Sequence, residues 1–473
     1  MELWKYSAAE AVEAVKKKQI KTRDLIKSVL TRCKEASALN SYITLRETEA
    51  IAESEAIDKS LEKGEAFSLA GLTLSLKDNL CWKNTPTTLG VKAMENLVPP
   101  FSSTPAFNLA EKGAIVIGKN NLDQWSMGNT TRSSSFGTTL NPWDNSCTAG
   151  DGSAAAVAAG GTSLALSTDT GGGLRRSAAY CGIYGLRPTP GRISRHGMVS
   201  FSPSFSQTGI LARSLNDLSI ALETISGFDP RDAMTKAYKH RTTPPQLKKE
   251  PVAVVPKELF QQTEENTREE YLRIVENLSQ TGIKIEEISL PHFQYGVLAY
   301  HIISCAEASS QLARFDGIRY GQPVESSNLE DWYFKTRAQT LEGEARRRCV
   351  LGVYYLNEKH YEKYYKKALQ VWSLIKKEFA SALQGKEFLL LPTTNSLPPL
   401  LENHSGVVDN YQEDYFTAPV SLAGLPALNI PVSFASNLPL GIQLIASPYS
   451  EEILLEAAGK YWETLGQLPL EEV

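Results

Sequence analysis

Cysteine and histidine are both scarce in this sequence, and their scatter excludes two architectures at once. The six cysteines, Cys33, Cys81, Cys147, Cys181, Cys305 and Cys349, show no CxxC spacing and no dense framework, so they read as reduced thiols. None of the six histidines is paired at i, i+4 with a third ligand close by, which argues against a zinc site. No run of about 18 apolar residues is present to span a membrane. The opening Met1-Glu2-Leu3-Trp4-Lys5-Tyr6 has no basic stretch followed by an apolar one, so no signal peptide is expected. Charge is lacking too. A formal net charge of −4 gives no global basic field for nucleic acid and leaves only local patches, Lys248-Lys249 with Lys257 or Arg346-Arg347-Arg348. Repeats and low-complexity tracts are missing. Together these absences predict a soluble cytoplasmic protein.

What is present is ordinary globular composition, 42% hydrophobic and 22% charged, in a chain of 473 residues that exceeds a typical domain. Ser7-Ala8-Ala9-Glu10 ahead of Val12 and Val15 predicts an N-capped amphipathic helix. Thr22 is a cap candidate for a second helix, and a third is expected from Glu47 to Lys63, stopped by Gly64. Leu72 to Leu76 alternates at period two, as a strand does. A helix around Ala106 to Lys112 precedes the apolar strand Ala114 to Ile117. Ser153 to Ala159 predicts a buried small-residue helix, followed by a strand from Leu164 to Thr168. Further strands are expected at Val252–Val255, Leu389–Leu391 and Leu428–Val432, with helices over 264–280 and 300–377. This rhythm predicts one α/β unit with functional residues at strand ends. It divides into N-terminal helices (1–65), a core (66–228) and a C-terminal part of helices and strands (250–473), with 229–249 as a polar connection.

The Gly/Ala/Ser-rich block from Thr148 to Gly185 contains Asp169-Thr170-Gly171-Gly172-Gly173, a loop type in which backbone amides converge on an anion. Lys77 closes the strand before it. It is either a solvated strand cap or a desolvated amine able to act as a general base, in which case it needs a hydroxyl partner.

Several ordered stretches resemble the amidase signature family over nearly the whole length. They are Leu69-Ala70-Gly71 through Lys77-Asp78-Asn79, Gly118 to Asp123 with Met127-Gly128, Asn141-Pro142-Trp143-Asp144, Ser153 to Gly160, Asp169 to Gly172, and Cys181 to Thr189. Two further stretches, Glu307 to Gly321 and Pro419 to Pro426, resemble the branch formed by the A subunits of glutamyl-tRNA(Gln) amidotransferases. The resemblance implies a mixed central β-sheet covered by helices on both faces (α/β/α). It also implies a Ser–cis-Ser–Lys triad with an oxyanion loop at Thr170, Gly171 and Gly172. The triad lysine falls on Lys77. The bridging serine of the family's Gly-Gly-Ser-Ser-Gly-Gly-Ser motif falls on Ala149, the serine after it on Gly150, and the nucleophile on Gly173. Substrate-binding positions fall on Tyr300, on Arg347 or Arg348, and on Asp414, which would hold the two charged ends of glutamine. Arg176-Ser177 replaces the usual Gln-Pro.

Two functional classes follow. One is the A component of a heterotrimer with B and C subunits, releasing ammonia from glutamine so that the B component can amidate glutamyl-tRNA(Gln). In that case this chain has no cofactor of its own, ATP and magnesium act at the B component, and tRNA is met only through the complex. The other is a catalytically inactive scaffold, because two of three triad positions lack a hydroxyl. Cys147, Thr148, Thr170 and Ser177 are the candidates for a relocated nucleophile. A stand-alone binding protein for another carboxamide is a third reading.

Overall fold

The structure, a computed structural model, describes residues 2–236, 247, 252–402 and 411–462. Most of the expected connection over 229–249, including the Lys248-Lys249 pair, lies outside the described residues. Among the described residues eleven strands form one mixed sheet. In chain order these are β1 (Tyr42–Leu45), β2 (Thr73–Lys77), β3 (Ile115–Asn120), β4 (Leu164–Asp169), β5 (Tyr184–Arg187), β6 (Gln207–Ala212), β7 (Val252–Val255), β8 (Lys284–Glu287), β9 (Phe388–Pro392), β10 (Ala427–Ala435) and β11 (Leu438–Ile445). Their spatial order is β1-β3-β2-β4-β6-β5-β10-β11-β9-β7-β8. β2 runs parallel to both β3 and β4, whereas β5 pairs antiparallel with β6 and β10.

Helices cover both faces, and the strand sequences show why. Along β4 and β6, Ala165 and Leu211 join one apolar cluster with Val157 and Ala158 of α5 (Gly152–Ala158) and Leu174 and Ala178 of α6 (Gly173–Tyr180). Their neighbours Leu164, Leu166, Ile210 and Ala212 join another with Leu218, Ala221 and Leu222 of α7 (Leu215–Ile225). Successive strand side chains point to opposite faces, so a strand stretch apolar at consecutive positions must be covered on both sides. The α/β/α reading therefore matches the observed architecture.

The N-terminal helices are α1 (Ala8–Lys16), α2 (Thr22–Glu35) and α3 (Glu47–Glu62). α1 carries the expected capping box between Ser7 and Glu10. α2 differs from expectation. Thr22 is its first residue and no side chain caps it locally, while Asp58 of α3 accepts from the amides of Thr22 (2.9 Å) and Arg23 (3.0 Å). A carboxylate at a helix N-terminus satisfies free amides and favours the dipole. Asp58→Ala is therefore expected to lower unfolding free energy by about 1 kcal/mol in denaturant titration, with Thr22→Val nearly neutral.

Candidate active site

The carboxyl ends of β2 and β4, paired in parallel through Leu76↔Leu166, place Lys77 level with Ser167 and Asp169 two residues further on, at the edge where α/β sheets put their chemistry. Asp169 is fully buried and serves two arginines. Arg175 donates from Nε (2.9 Å) and Nη2 (3.1 Å), and Arg187 of β5 donates from Nη1 (2.7 Å). Burial alone would raise the Asp169 carboxyl, but the two guanidiniums outweigh it and hold it well below the usual carboxylate range. This network fixes the start of the Thr170–Gly172 loop, whose chain then enters α6. The first turn of a helix leaves its amides without intrahelical acceptors, so the loop keeps its donors.

The positions to which the resemblance assigns the bridging serine and the nucleophile carry no hydroxyl. At Gly173 an added Cβ would meet Asn129 Oδ1 at 3.4 Å and nothing else nearer than Thr168 O at 4.0 Å, so the place of a serine side chain is open. Ala149 is fully buried and belongs to the apolar cluster of Ala154, Leu174 and Ala178. Gly150 sits at φ +84°, and a Cβ there would stand 2.9 Å from Ser177 Oγ. A side chain at this position would be strained by its backbone as well as by its neighbour.

Lys77 is 4% exposed, and its Nζ lies 2.5 Å from Asp151 Oδ2. The lysine is thus neither a solvated cap nor an amine facing a hydroxyl at the bridging position. Its partner is a carboxylate standing where the family motif has glycine. Asp151 is held in turn by Ser167 Oγ (3.2 Å) and the Ser153 amide (2.7 Å). Sequence reasoning passed over Asp151, although an acid in an otherwise Gly/Ser motif was the available signal.

The four candidates for a relocated nucleophile are otherwise engaged. Thr148 Oγ1 donates to Thr130 O (2.6 Å). Ser177 lies beneath the loop, its hydroxyl 2.8 Å from Asn129 Oδ1 and 2.7 Å from Gly173 O. Thr170, whose hydroxyl pairs with Ser206 Oγ (2.8 Å), lines the cavity beside Lys77. Burial pushes the Cys147 thiol up, away from the reactive thiolate.

The cavity above the loop measures about 30 Å³. Tyr300 of α9 (Gly296–Gln311) and Arg348 of α11 (Gly343–Leu356) line it with Asp414. The Tyr300 ring closes over Gly171, and burial raises its phenol. Arg347 does not line the cavity; it pairs with Glu344 and lies over the Tyr411 ring at 4.8 Å. Of the two arginines, Arg348 alone lines this cavity.

Arg176 changes the chemistry of this space most. Its Nη2 lies 3.0 Å from Asp414 Oδ1 and its Nη1 2.9 Å from Glu413 Oε2. The carboxylate expected to receive an ammonium already holds a guanidinium of the same chain. Burial pushes Glu413 up to about 6 despite Arg176, whereas Asp414, also raised by burial, is brought below its usual value by Arg176. In Arg176→Gln both acids lose their cation and are raised further. The folded state then binds more protons than the unfolded one above pH ~4, so stability falls as pH rises. Thermal melts should show a modest loss at pH 5 and a loss of roughly 3 kcal/mol at pH 8.

Comparison with known proteins agrees with this geometry at the level of family. The amidase family model matches residues 24–455. The A subunit of glutamyl-tRNA(Gln) amidotransferase from Natranaerobius thermophilus is 37% identical over 98% of this chain and 96% of its own length. Its counterpart from Moorella thermoacetica is 37% identical over 97% and 96%. A crystal structure of the Thermotoga maritima counterpart superposes with a TM-score of 0.81 at 29% identity, covering 99% of this chain and 98% of the other.

Proposed function

Because the chain belongs to the amidase family, we propose that it takes the place of an A subunit in an amidotransferase assembly while no longer hydrolysing glutamine itself. The observation that carries this reading is the combination at one site of an open Gly173 and a Lys77 held by Asp151. Removing the nucleophile of a serine hydrolase costs on the order of 10⁶-fold in kcat, about 8 kcal/mol of barrier. The cavity supports the same conclusion. At about 30 Å³ it is an order of magnitude below the roughly 300 Å³ at the small end of ligand sites.

In this reading the chain supplies a folded surface to B and C subunits in the cytoplasm. The B component carries ATP, magnesium and the glutamyl-tRNA(Gln), and its ammonia comes from solution or from another glutaminase. Among the described residues no helix is long and apolar enough to cross a membrane. The test is co-expression with B- and C-type subunits, followed by amidation of glutamyl-tRNA(Gln) with glutamine or with ammonium chloride. Ammonium is expected to support product formation and glutamine is not. Equal use of glutamine would show that hydrolysis survives, and failure to co-purify would favour a stand-alone protein.

A further inference from the structure

A separate cavity of about 410 Å³ falls within the size range of small-molecule sites. It shares no lining residue with the space above the Thr170–Gly172 loop. Three stretches enclose it, the loops 81–101 and 195–203 and the end of α9 continuing to Tyr320. Its lining is mostly apolar and includes two aromatic pairs. Phe101 packs on His196 with ring centroids 5.4 Å apart, and Phe315 on Tyr320 at 5.5 Å. Val98, Phe101 and Tyr320 stay 48%, 44% and 39% exposed, a concentration of uncovered apolar surface around one opening.

Charge in this lining is not balanced. Arg195 and Arg231 are matched by Asp232 (2.8 Å) and Asp229 (2.9 Å). The four acceptor positions of the Asp232 carboxylate are filled, by the Arg195 guanidinium twice and by the amides of Arg195 and Met234. His196 adds no charge near neutrality, because burial and Arg231 push its imidazole below the usual value. Arg314 is different. It is exposed, it donates from Nε to Gln311 O (3.1 Å) and from Nη2 to Gln311 Oε1 (2.7 Å), and among the described residues it has no carboxylate partner. Its Nη1 and the second hydrogen of Nη2 are left as an open fork, the geometry that takes a carboxylate in two parallel bonds.

We propose that this cavity binds a small aromatic monocarboxylate, with its ring against Phe101 and Phe315 and its carboxylate on Arg314. A cationic ligand would meet a filled Asp232 and an unpaired guanidinium. A dicarboxylate would leave one charge unmatched in apolar surroundings. Burial raises the Cys81 thiol in the same lining, so the cavity is equipped to hold a ligand and not to attack one. This site stands whether or not the chain hydrolyses glutamine.

The test titrates the purified chain with 2-naphthoate, using 2-naphthamide and 2-naphthylmethylammonium as its uncharged and cationic matches. Saturable binding of naphthoate with Kd on the order of 100 µM is expected, with the amide about tenfold weaker and the ammonium weaker still. Arg314→Gln should bring naphthoate to the level of the amide and leave the amide unchanged, whereas Phe101→Ala should weaken both. Arg314 is exposed, so its variant is expected to fold, and a soak of native crystals in 6-bromo-2-naphthoate should place an anomalous peak beside Phe101 and Phe315. No saturable binding, equal affinity for carboxylate and amide, equal naphthoate affinity in Arg314→Gln, or a bromine peak elsewhere would overturn the proposal. If naphthoate fails to bind and Phe101→Ala instead dissociates a dimer in sedimentation velocity, the surface belongs to a second copy of the chain and the proposal falls.

Discussion

Purified protein given glutamine is expected to release ammonia about 10⁶-fold more slowly than a serine-bearing relative, and the double variant Ala149→Ser/Gly173→Ser to remain within tenfold of that floor. The Gly173 position has room for the hydroxymethyl group. The Ala149 position lies in an apolar cluster, where a hydroxyl is buried without a partner. Lys77, at the position the resemblance gives the triad lysine, faces Asp151, and Arg176 pairs with Asp414 at the acidic end of the pocket. Adding Asp151→Gly and Arg176→Gln removes both obstacles, and the quadruple variant should exceed the double by about 10²-fold, a typical share for one general base. Continuous ammonia detection separates these outcomes. Equal rates for double and quadruple variants would mean that Asp151 and Arg176 are not what holds catalysis off.

Asp169→Ala is expected to be the most damaging single change to stability near the site. It leaves Arg175 and Arg187, both fully buried, without the carboxylate they share, and breaking a buried ion pair costs about 3–5 kcal/mol. Asp169→Asn keeps the shape and hydrogen-bond acceptor and should lose less. The pH dependence has a definite sign. A carboxyl held below its unfolded value contributes stability that is present in full above pH ~4 and is withdrawn as pH falls through the folded value. The contribution of Asp169 is therefore flat between pH 5 and 8, and the native and Asp169→Asn melting curves should converge only in strong acid. A gap between the two curves that changes with pH between 5 and 8 would contradict the assignment.

Local pattern carried most of the fold. Period-two alternation located β2, the Gly64 and Gly113 stops bounded their helices, and small-residue runs gave α5. β1, β5, β6, β8 and β11 were not read as strands; β11 is the second arm of a hairpin with β10, whereas β6 is placed by pairing with β4, which no short window contains. The α2 cap was misplaced for the same reason, since its acceptor Asp58 is 36 positions away in sequence. At the site, the missing hydroxyls were visible as residue types. The Lys77–Asp151 and Arg176–Asp414 pairs were not, because each depends on two segments meeting in space. Asp414 read alone looks like an ammonium receptor; only the fold puts a guanidinium against it.

The strand order also has a consequence for synthesis on the ribosome. β1 to β6 form one contiguous block of the sheet, β7 to β11 the other, and the blocks meet only where β10 adds to β5. About 240 residues separate these two strands, so at about 5–20 residues per second the first block waits roughly 10–50 s for the second to arrive. Throughout that interval the backbone of Tyr184–Arg187 is an open edge, able to pair with another nascent chain. Vectorial synthesis thus leaves the seam between the two blocks unpaired until β10 is made, and β5 is the strand whose edge must be kept from other chains in the meantime.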